Sequence, residues 1–138
     1  MSREKNEIEA KRWLVTAESD FESAQILFDN GQHAHSCFHA QQAAEKAVKA
    51  LWYKLDADPW GHSIKKLIDE LEEIDDEAHI RIKDLSRAGV VLDRFYIPTR
   101  YPNGLPDITP DMAFYPEDSQ TALNMSRSIL DRVTTLLQ

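Results

Sequence analysis

The residues around Arg100 combine the side-chain types best suited to hold an anionic ligand. Arg100 lies between Tyr96 and Tyr101, and Pro98 and Pro102 stand four residues apart. Because proline cannot continue a helix, this segment should form a stiff turn. A guanidinium beside two aromatic rings suits a phosphate or a nucleotide base. The alternative is that both rings pack against the end of the core and that Arg100 is a solvated neighbour.

A polar stripe on the second predicted helix is the other candidate for a binding surface. At about 100 degrees per residue its members fall within a sector of about 80 degrees, opposite an apolar stripe. The stripe contains no acid and could meet an anionic ligand, meet a partner subunit or face solvent. Its members are His35, His39, Gln42, Lys46, Lys49 and Tyr53.

The sequence gives little support to a metal site or to known catalytic motifs. His35 and His39 have the spacing of four residues that can clasp a metal, with His33 nearby, but a third ligand and an HExxH pattern are missing. No nucleophile elbow or glycine-rich phosphate loop is present, and the chain has only four glycines. We therefore predict no catalytic residue, metal or cofactor, and leave open whether the protein is an enzyme.

Apolar residues recur at spacings of three and four along most of the chain, which predicts helices and no strand. The fold class expected is all-α, an up-and-down bundle of four main helices plus a short one, forming a single domain over residues 1–138. About two residues separate the first two helices, so these should form an antiparallel hairpin. The predicted helices cover about 7–30, 32–55, 64–74, 82–95 and 116 to the C-terminus.

The start of the third helix presents two candidate capping residues, His62 and Ser63. A polar side chain just before the first apolar residue of a helix commonly caps it. For His62 we favour capping over contact with a ligand.

Composition restricts the classes of function. The formal net charge of -8 argues against general nucleic-acid binding, which needs a basic face. No apolar run is long enough for a membrane span, and the N-terminus is charged, so we expect a cytoplasmic protein. The single Cys37 rules out an intramolecular disulfide, and its apolar surroundings predict a core residue.

Three blocks of sequence resemble the HEPN family of small helical domains, and the likeness spans roughly residues 10 to 135. The most specific block runs from Cys37 to Leu51, reads CFHAQQAAEKAVKAL and is similar to the family's characteristic second helix. After this block comes His62, which precedes a leucine-rich helix. The other blocks lie in the first helix and at the predicted turn: Ala17, Asp20, Phe21, Ala24 and Gly31, and the stretch from Leu92 through Arg94 to the Arg100-Tyr101-Pro102 triplet.

The resemblance implies a bundle that often dimerises, with a function in one of two groups. Some relatives are ribonuclease toxins in which a catalytic arginine precedes a histidine by four to six residues. That motif is absent here, since His79 is the last histidine and no arginine before it has the required spacing. The other group comprises stand-alone domains that resemble the partners of minimal nucleotidyltransferases. Nucleotide or polynucleotide binding has been proposed for these domains.

We therefore expect a non-catalytic HEPN domain that binds a nucleotide or short RNA and partners a minimal nucleotidyltransferase. In this interpretation Gln42, Lys46 and Lys49 supply donors, Arg94 and Arg100 neutralise phosphate, and Tyr96 or Tyr101 stacks on the base. Asp20 and Glu45 would orient the cations. His62 and Thr99 complete the predicted set as supporting residues.

An alternative is a homodimeric interaction module without a ligand. The stripe from His35 to Tyr53 would then pack against its copy, with Glu45 and Arg94 paired inside. An antitoxin-like role fits the acidic charge but has no support from particular residues.

Overall fold

The computed structural model describes residues 2–138, and regular structure within that range is helical, with no strand. This confirms the predicted all-α bundle. Short 3-10 turns occur at Lys83–Leu85 and Pro102–Gly104. The α-helices are α1 (Arg3–Asp29), α2 (His33–Lys54), α3 (Ile64–Ile74), α4 (Asp76–Ile82), α5 (Ser86–Asp93), α6 (Pro110–Ala113) and α7 (Pro116–Leu137).

Helices α1 and α2 form the predicted antiparallel hairpin. Gly31, with φ +76°, occupies the left-handed conformation that ends α1. Lys54 near the end of α2 reaches back to Glu7 near the start of α1, with Nζ 3.2 Å from Oε1. At the other end, the Ser36 hydroxyl donates a hydrogen bond of 2.7 Å to the Ala24 carbonyl.

Helix α2 is the central element, because α1, α3, α5 and α7 all pack around it. Many of its residues are alanines, which lets the neighbouring backbones approach closely. Burial therefore extends around most of its circumference and includes three polar residues, Ser36, Gln41 and Glu45. The spacing along the helix predicts Gln41 and Glu45 at the border of the polar stripe, whereas the structure buries both.

The region after α3 differs from its prediction. A connection was expected between the predicted helices 64–74 and 82–95, yet α3 ends at Ile74 and α4 already begins at Asp76. The Asp75 carboxylate accepts a hydrogen bond of 3.1 Å from the Ala78 amide. Asp75 therefore both ends α3 and caps α4. The predicted fourth helix is likewise divided between α4, a 3-10 turn and α5.

The start of α3 is fixed by α5. Ser63 is the N-cap, and its hydroxyl accepts a hydrogen bond of 3.1 Å from the Lys66 amide. The Asp93 carboxylate accepts from the Ser63 hydroxyl at 2.9 Å and from the Ile64 amide at 2.7 Å. The prediction that His62 caps this helix was therefore wrong, because the short serine side chain one residue later satisfies the end of the helix.

The segment between α5 and α7 is irregular, as its prolines predict. It leads to α7, where Asp118 accepts a hydrogen bond of 2.8 Å from the Tyr115 amide in a capping box. Over residues 2–138, no helix combines the length and the apolar character that crossing a bilayer would require.

Candidate functional site

A buried carboxylate, Glu45, organises the polar residues in the middle of α2. Its side chain lies 3.1 Å from Lys49 Nζ and 3.3 Å from His62 Nδ1, both through Oε2. Its other oxygen accepts a hydrogen bond of 3.2 Å from Gln41 Nε2. A carboxylate that is only 3% exposed needs such partners to offset its desolvation. Glu45 thus contacts both Lys49 and His62 through the same carboxylate oxygen.

The two glutamines extend this network along α2. Gln42 Nε2 donates a hydrogen bond of 2.8 Å to Gln41 Oε1. Gln41 Nε2 also lies 3.4 Å from the His62 carbonyl oxygen. Gln42 is half-buried, so its amide lies at the boundary between the buried network and solvent.

His62 connects the network to the turn after α5. Its imidazole stacks on the Tyr96 ring, with centroids 4.8 Å apart and planes inclined by 18°. Tyr96 also contacts Phe38 of α2, with centroids 6.4 Å apart. The stacked pair therefore joins the segment before α3, the turn after α5 and the N-terminal half of α2.

Arg100 lies among three aromatic rings. Its guanidinium carbon is 4.5 Å from the Phe38 centroid, 4.6 Å from that of Tyr96 and 5.1 Å from that of Tyr101. Its Nε donates a hydrogen bond of 2.9 Å to the Tyr96 carbonyl. Among the described residues, no carboxylate pairs with Arg100 and no acceptor engages its terminal nitrogens. A stacked guanidinium keeps the donors at its edge available, so this group can bind an anion.

Thr99 fixes the shape of the turn from inside. Its side chain is 1% exposed, and its hydroxyl donates a hydrogen bond to the Phe95 carbonyl. This contact leaves Thr99 facing the core while Arg100 faces the aromatic rings. Thr99 therefore stabilises the turn from the core side, and its role as a supporting residue of the site stays a prediction.

Lys46 belongs to a different neighbourhood, on the side of α2 that faces α1. Its Nζ lies 2.6 Å from Asp20 Oδ2, so Asp20 forms an ion pair with this cation. Lys46 lines a cavity of about 290 Å³ together with Trp13 and other α1 residues. The Trp13 ring stacks on Tyr53 at 5.2 Å, with Lys49 Nζ 6.0 Å from its centroid.

Arg94 forms no ion pair or cation–ring contact with the aromatic cluster in the part of the chain that the structure describes. Its side chain is exposed, and within residues 2–138 it makes no ion pair or side-chain hydrogen bond. The pairing of Glu45 with Arg94 that the homodimer alternative includes does not occur within the chain, where Glu45 instead contacts Lys49 and His62.

The structure therefore brings together most of the predicted site residues, though not all of them. Gln42, Glu45 and Lys49 connect through His62 to Tyr96, and thence to Arg100 and Tyr101. Within residues 2–138, no side-chain hydrogen bond or ion pair links Lys46 or Arg94 to this cluster.

Two residues with clear roles were not among the predicted site residues. Phe38 forms one wall of the Arg100 cluster, and Asp93 ties α5 to the start of α3. Both lie within the sequence blocks that carry the family resemblance. In the sequence, Phe38 lies one helical turn before Gln41 and Gln42, and this spacing could have indicated that its ring lies near the site.

The histidines at the start of α2 do not assemble a metal site. His35 is exposed, whereas His39 is half-buried and burial is the main cause that lowers the pKa of its imidazole. Across the part of the chain that the structure describes, no group of three or more histidine, cysteine, aspartate or glutamate side chains is placed to hold a metal ion.

An all-helical bundle with this second helix and this turn defines a recognised class of small domains. The model of the HEPN domain family matches residues 10–136, and the chain belongs to that family. This confirms the resemblance seen in the sequence. The comparison with curated proteins found no match.

Solved structures agree with the family assignment. The crystal structure of TT1696 from Thermus thermophilus is 37% identical, superposes with a TM-score of 0.83 and covers 92% of this chain and 97% of its own. ST0689, described as an archaeal HEPN homologue, is 28% identical with a TM-score of 0.77, covering 94% and 98%. A HEPN domain protein from Thermotoga maritima is 28% identical with a TM-score of 0.66, covering 91% and 97%.

Proposed function

We propose that this HEPN domain protein is a non-catalytic binder of nucleotides, with its phosphate site at Arg100. The observation that supports this most directly is a guanidinium that contacts three rings and pairs with no carboxylate in residues 2–138. Most other cations of this acidic chain are paired, so an unpaired and half-buried arginine is available to an anion.

The base would stack on Tyr101. The sequence left Tyr96 and Tyr101 as equal candidates, but Tyr96 is already stacked on His62 and contacts Phe38. Tyr101 is 50% exposed and lies beside Arg100, so its ring is open to a ligand. Stacking on an aromatic side chain contributes about 1–3 kcal/mol per base and depends little on base identity.

Gln42 and Lys49 would contribute from α2, while Lys46 and Arg94 would contact only the outer parts of a ligand. Lys49 forms an ion pair with Glu45, and Lys46 forms one with Asp20. Part of the positive charge of each lysine is therefore already neutralised before a ligand binds. The phosphate contact is therefore assigned chiefly to Arg100.

Calorimetric titration with ATP and with GTP tests this assignment. We expect binding to the wild type, and loss of at least tenfold in affinity for Arg100→Ala, because a charge-assisted bidentate contact is removed. Tyr101→Ala should weaken binding less. Lys11→Ala, which removes an exposed and unpaired cation of α1, is the matched control and should bind as the wild type does. Absence of binding heat for both nucleotides, or equal losses for Arg100→Ala and Lys11→Ala, would refute the site.

The family resemblance also supports a partnership with a minimal nucleotidyltransferase, which we include in the proposal. Co-purification from the native host followed by mass spectrometry tests it. A nucleotidyltransferase recovered at equal stoichiometry supports the partnership, whereas recovery of this chain alone would instead favour the homodimer module.

The homodimer itself stays a prediction. Its proposed contact, the stripe from His35 to Tyr53, is half-buried within one chain apart from the exposed His35. Light scattering of wild type and His39→Glu decides it, since a dimer built on that stripe should dissociate in the variant.

A further inference from the structure

Two of the four glycines in this chain directly follow an asparagine, at Asn30–Gly31 and at Asn103–Gly104. In such a pair the backbone nitrogen of glycine can attack the side-chain amide of asparagine, because glycine has no Cβ to obstruct the approach. The two pairs lie in different surroundings, so the fold determines which of them reacts.

The pair at the end of α1 is held by hydrogen bonds. Asn30 Nδ2 donates a hydrogen bond of 2.8 Å to the Ile26 carbonyl, and the Gly31 amide donates one of 3.0 Å to the Phe28 carbonyl. Both groups that would have to react are therefore already engaged. They can meet only when the last turn of α1 opens.

The pair at Asn103–Gly104 lacks such restraints. Both residues are exposed in the short 3-10 turn Pro102–Gly104. Within residues 2–138, the Asn103 side chain makes no hydrogen bond and the Gly104 amide has no acceptor. A single hydrogen bond of 2.9 Å, from the Leu105 amide to the Pro102 carbonyl, closes the turn. A Cβ built on Gly104 would meet nothing within 4 Å, so a new ring has room to form.

We propose that Asn103 is a site of intramolecular deamidation, which converts it to aspartate and isoaspartate in the folded protein. The Gly104 backbone nitrogen attacks Asn103 Cγ and forms an N–Cγ bond, while the Cγ–Nδ2 bond breaks. Ammonia leaves, and its third hydrogen is the proton that the Gly104 nitrogen gives up. Water then opens the five-membered imide. Breaking the N–Cγ bond gives aspartate, whereas breaking the original peptide bond gives isoaspartate, in which the chain runs through the side chain.

Either product adds a negative charge close to Arg100. Position 103 is three residues further along the chain, so the two Cα atoms are at most about 11 Å apart. Within residues 2–138 no carboxylate pairs with Arg100, so the new charge would act on an otherwise unneutralised cation. Deamidation should therefore weaken the binding of ATP at Arg100 by at least about twofold at low salt. This consequence alone rests on the proposed function.

Peptide mapping by mass spectrometry tests the proposal on the full chain, incubated for days in warm, mildly alkaline buffer. Deamidation changes the mass of the peptide, and electron-transfer fragmentation separates isoaspartate from aspartate. We expect the deamidated fraction at Asn103 to grow at least about tenfold faster than that at Asn30, since Asn30 reacts only when its turn opens. In guanidinium the two rates should converge, because both pairs have the same chemistry once the fold is lost.

The variant Gly104→Ala tests the route of the reaction. Its methyl group enters open space, so the fold is retained, but it hinders the attacking nitrogen and should slow the reaction at Asn103 several-fold. Asn30 in the same molecule is the internal reference and should be unaffected. Equal rates at Asn30 and Asn103 in the native protein would overturn the proposal. Aspartate at 103 without isoaspartate would also overturn it, because direct hydrolysis passes through no imide.

Calorimetry with ATP at about 0.01 M salt tests the consequence for Arg100. Asn103→Asp carries the charge of the product, and Gln138→Glu is the control that adds the same charge at a distance. Gln138 lines a cavity of about 480 Å³ with Lys54, which lies roughly 24 Å along α2 from the Phe38 ring that contacts Arg100. We expect a loss of affinity for Asn103→Asp and almost none for Gln138→Glu.

Failure of the proposed function is distinguishable from failure of this inference. If ATP does not bind the wild type, the nucleotide site fails, and the peptide map still decides whether Asn103 is the modified residue. If ATP binds and both charge variants behave alike, the effect on Arg100 is refuted while the modification site stands. If ATP binds and the native map shows no preference for Asn103, the modification site fails and the nucleotide site stands.

Discussion

The imidazole of His62 stacks on the ring of Tyr96 at 4.8 Å, so the segment before α3 supports the turn after α5. The same histidine reaches Glu45 through Nδ1. One side chain thus connects the buried polar network of α2 to the residues that surround Arg100.

Replacing His62 should loosen that turn. We expect His62→Ala to increase amide hydrogen exchange across residues 96–101, because Tyr96 loses a stacking partner. His35→Ala is the matched control, since His35 is exposed and has no ring partner in the described chain. Unchanged exchange at 96–101 in His62→Ala would show that the stack does not support the turn.

Removal of the Glu45 carboxylate should destabilise the fold. Glu45 and Lys49 are both well buried, with side chains 4% and 12% exposed, so Glu45→Ala leaves a cation without its partner. We expect a loss of about 3 kcal/mol in the free energy of unfolding, measured by urea denaturation. The control is Glu77→Ala, which removes a pair that is mostly exposed on both sides and should leave the urea midpoint unchanged. Equal midpoints for the two variants would contradict a structural role for Glu45.

The approach of α5 to α3 requires glycine at position 89. A Cβ added there would lie 3.0 Å from Ile64 Cγ2 and 3.0 Å from the Lys65 backbone nitrogen. Gly89→Ala should therefore cost about 1–3 kcal/mol in stability, because backbone cannot yield as a flexible side chain does. Gly104→Ala meets nothing within 4 Å and is the control. Thermal unfolding of the two variants compares them directly, and equal midpoints would mean that α3 and α5 separate readily.

The helices could be predicted from the sequence because apolar periodicity reports which faces are buried. The same periodicity missed α4, since Asp75 ends one helix and caps the next without any glycine or proline to mark the boundary. The convergence of Lys49, His62 and Arg100 depends on long-range contacts through Glu45 and Tyr96. Spacing along one helix carries no information on those contacts. It also could not show that Lys46 turns to Asp20 on α1, away from the turn.

His39 should make stability depend on pH. Burial, the largest cause, lowers the pKa of its imidazole below the ordinary value of 6.5. The unfolded chain therefore binds more protons than the folded one as pH falls through 6.5, and stability decreases over that interval. Below the lowered pKa of the folded state both states are protonated and the loss is complete. Midpoints of thermal unfolding between about pH 7.5 and 5 should thus fall more steeply for wild type than for His39→Gln, and parallel profiles would contradict this assignment.

Cys37 should be inert in the folded protein. It is fully buried, and burial raises the pKa of its thiol to about 12, with the nearby charge of Asp118 as a lesser cause. Because the thiolate is the nucleophile, reaction with a disulfide reagent at about pH 8 requires the chain to open. We expect no reaction of the native protein over minutes and one equivalent after denaturation in guanidinium. Glu45→Ala should react faster than wild type at the same pH, since a less stable fold opens more often. Rapid native reaction in the wild type would show that the α2 core is open to solvent on that timescale.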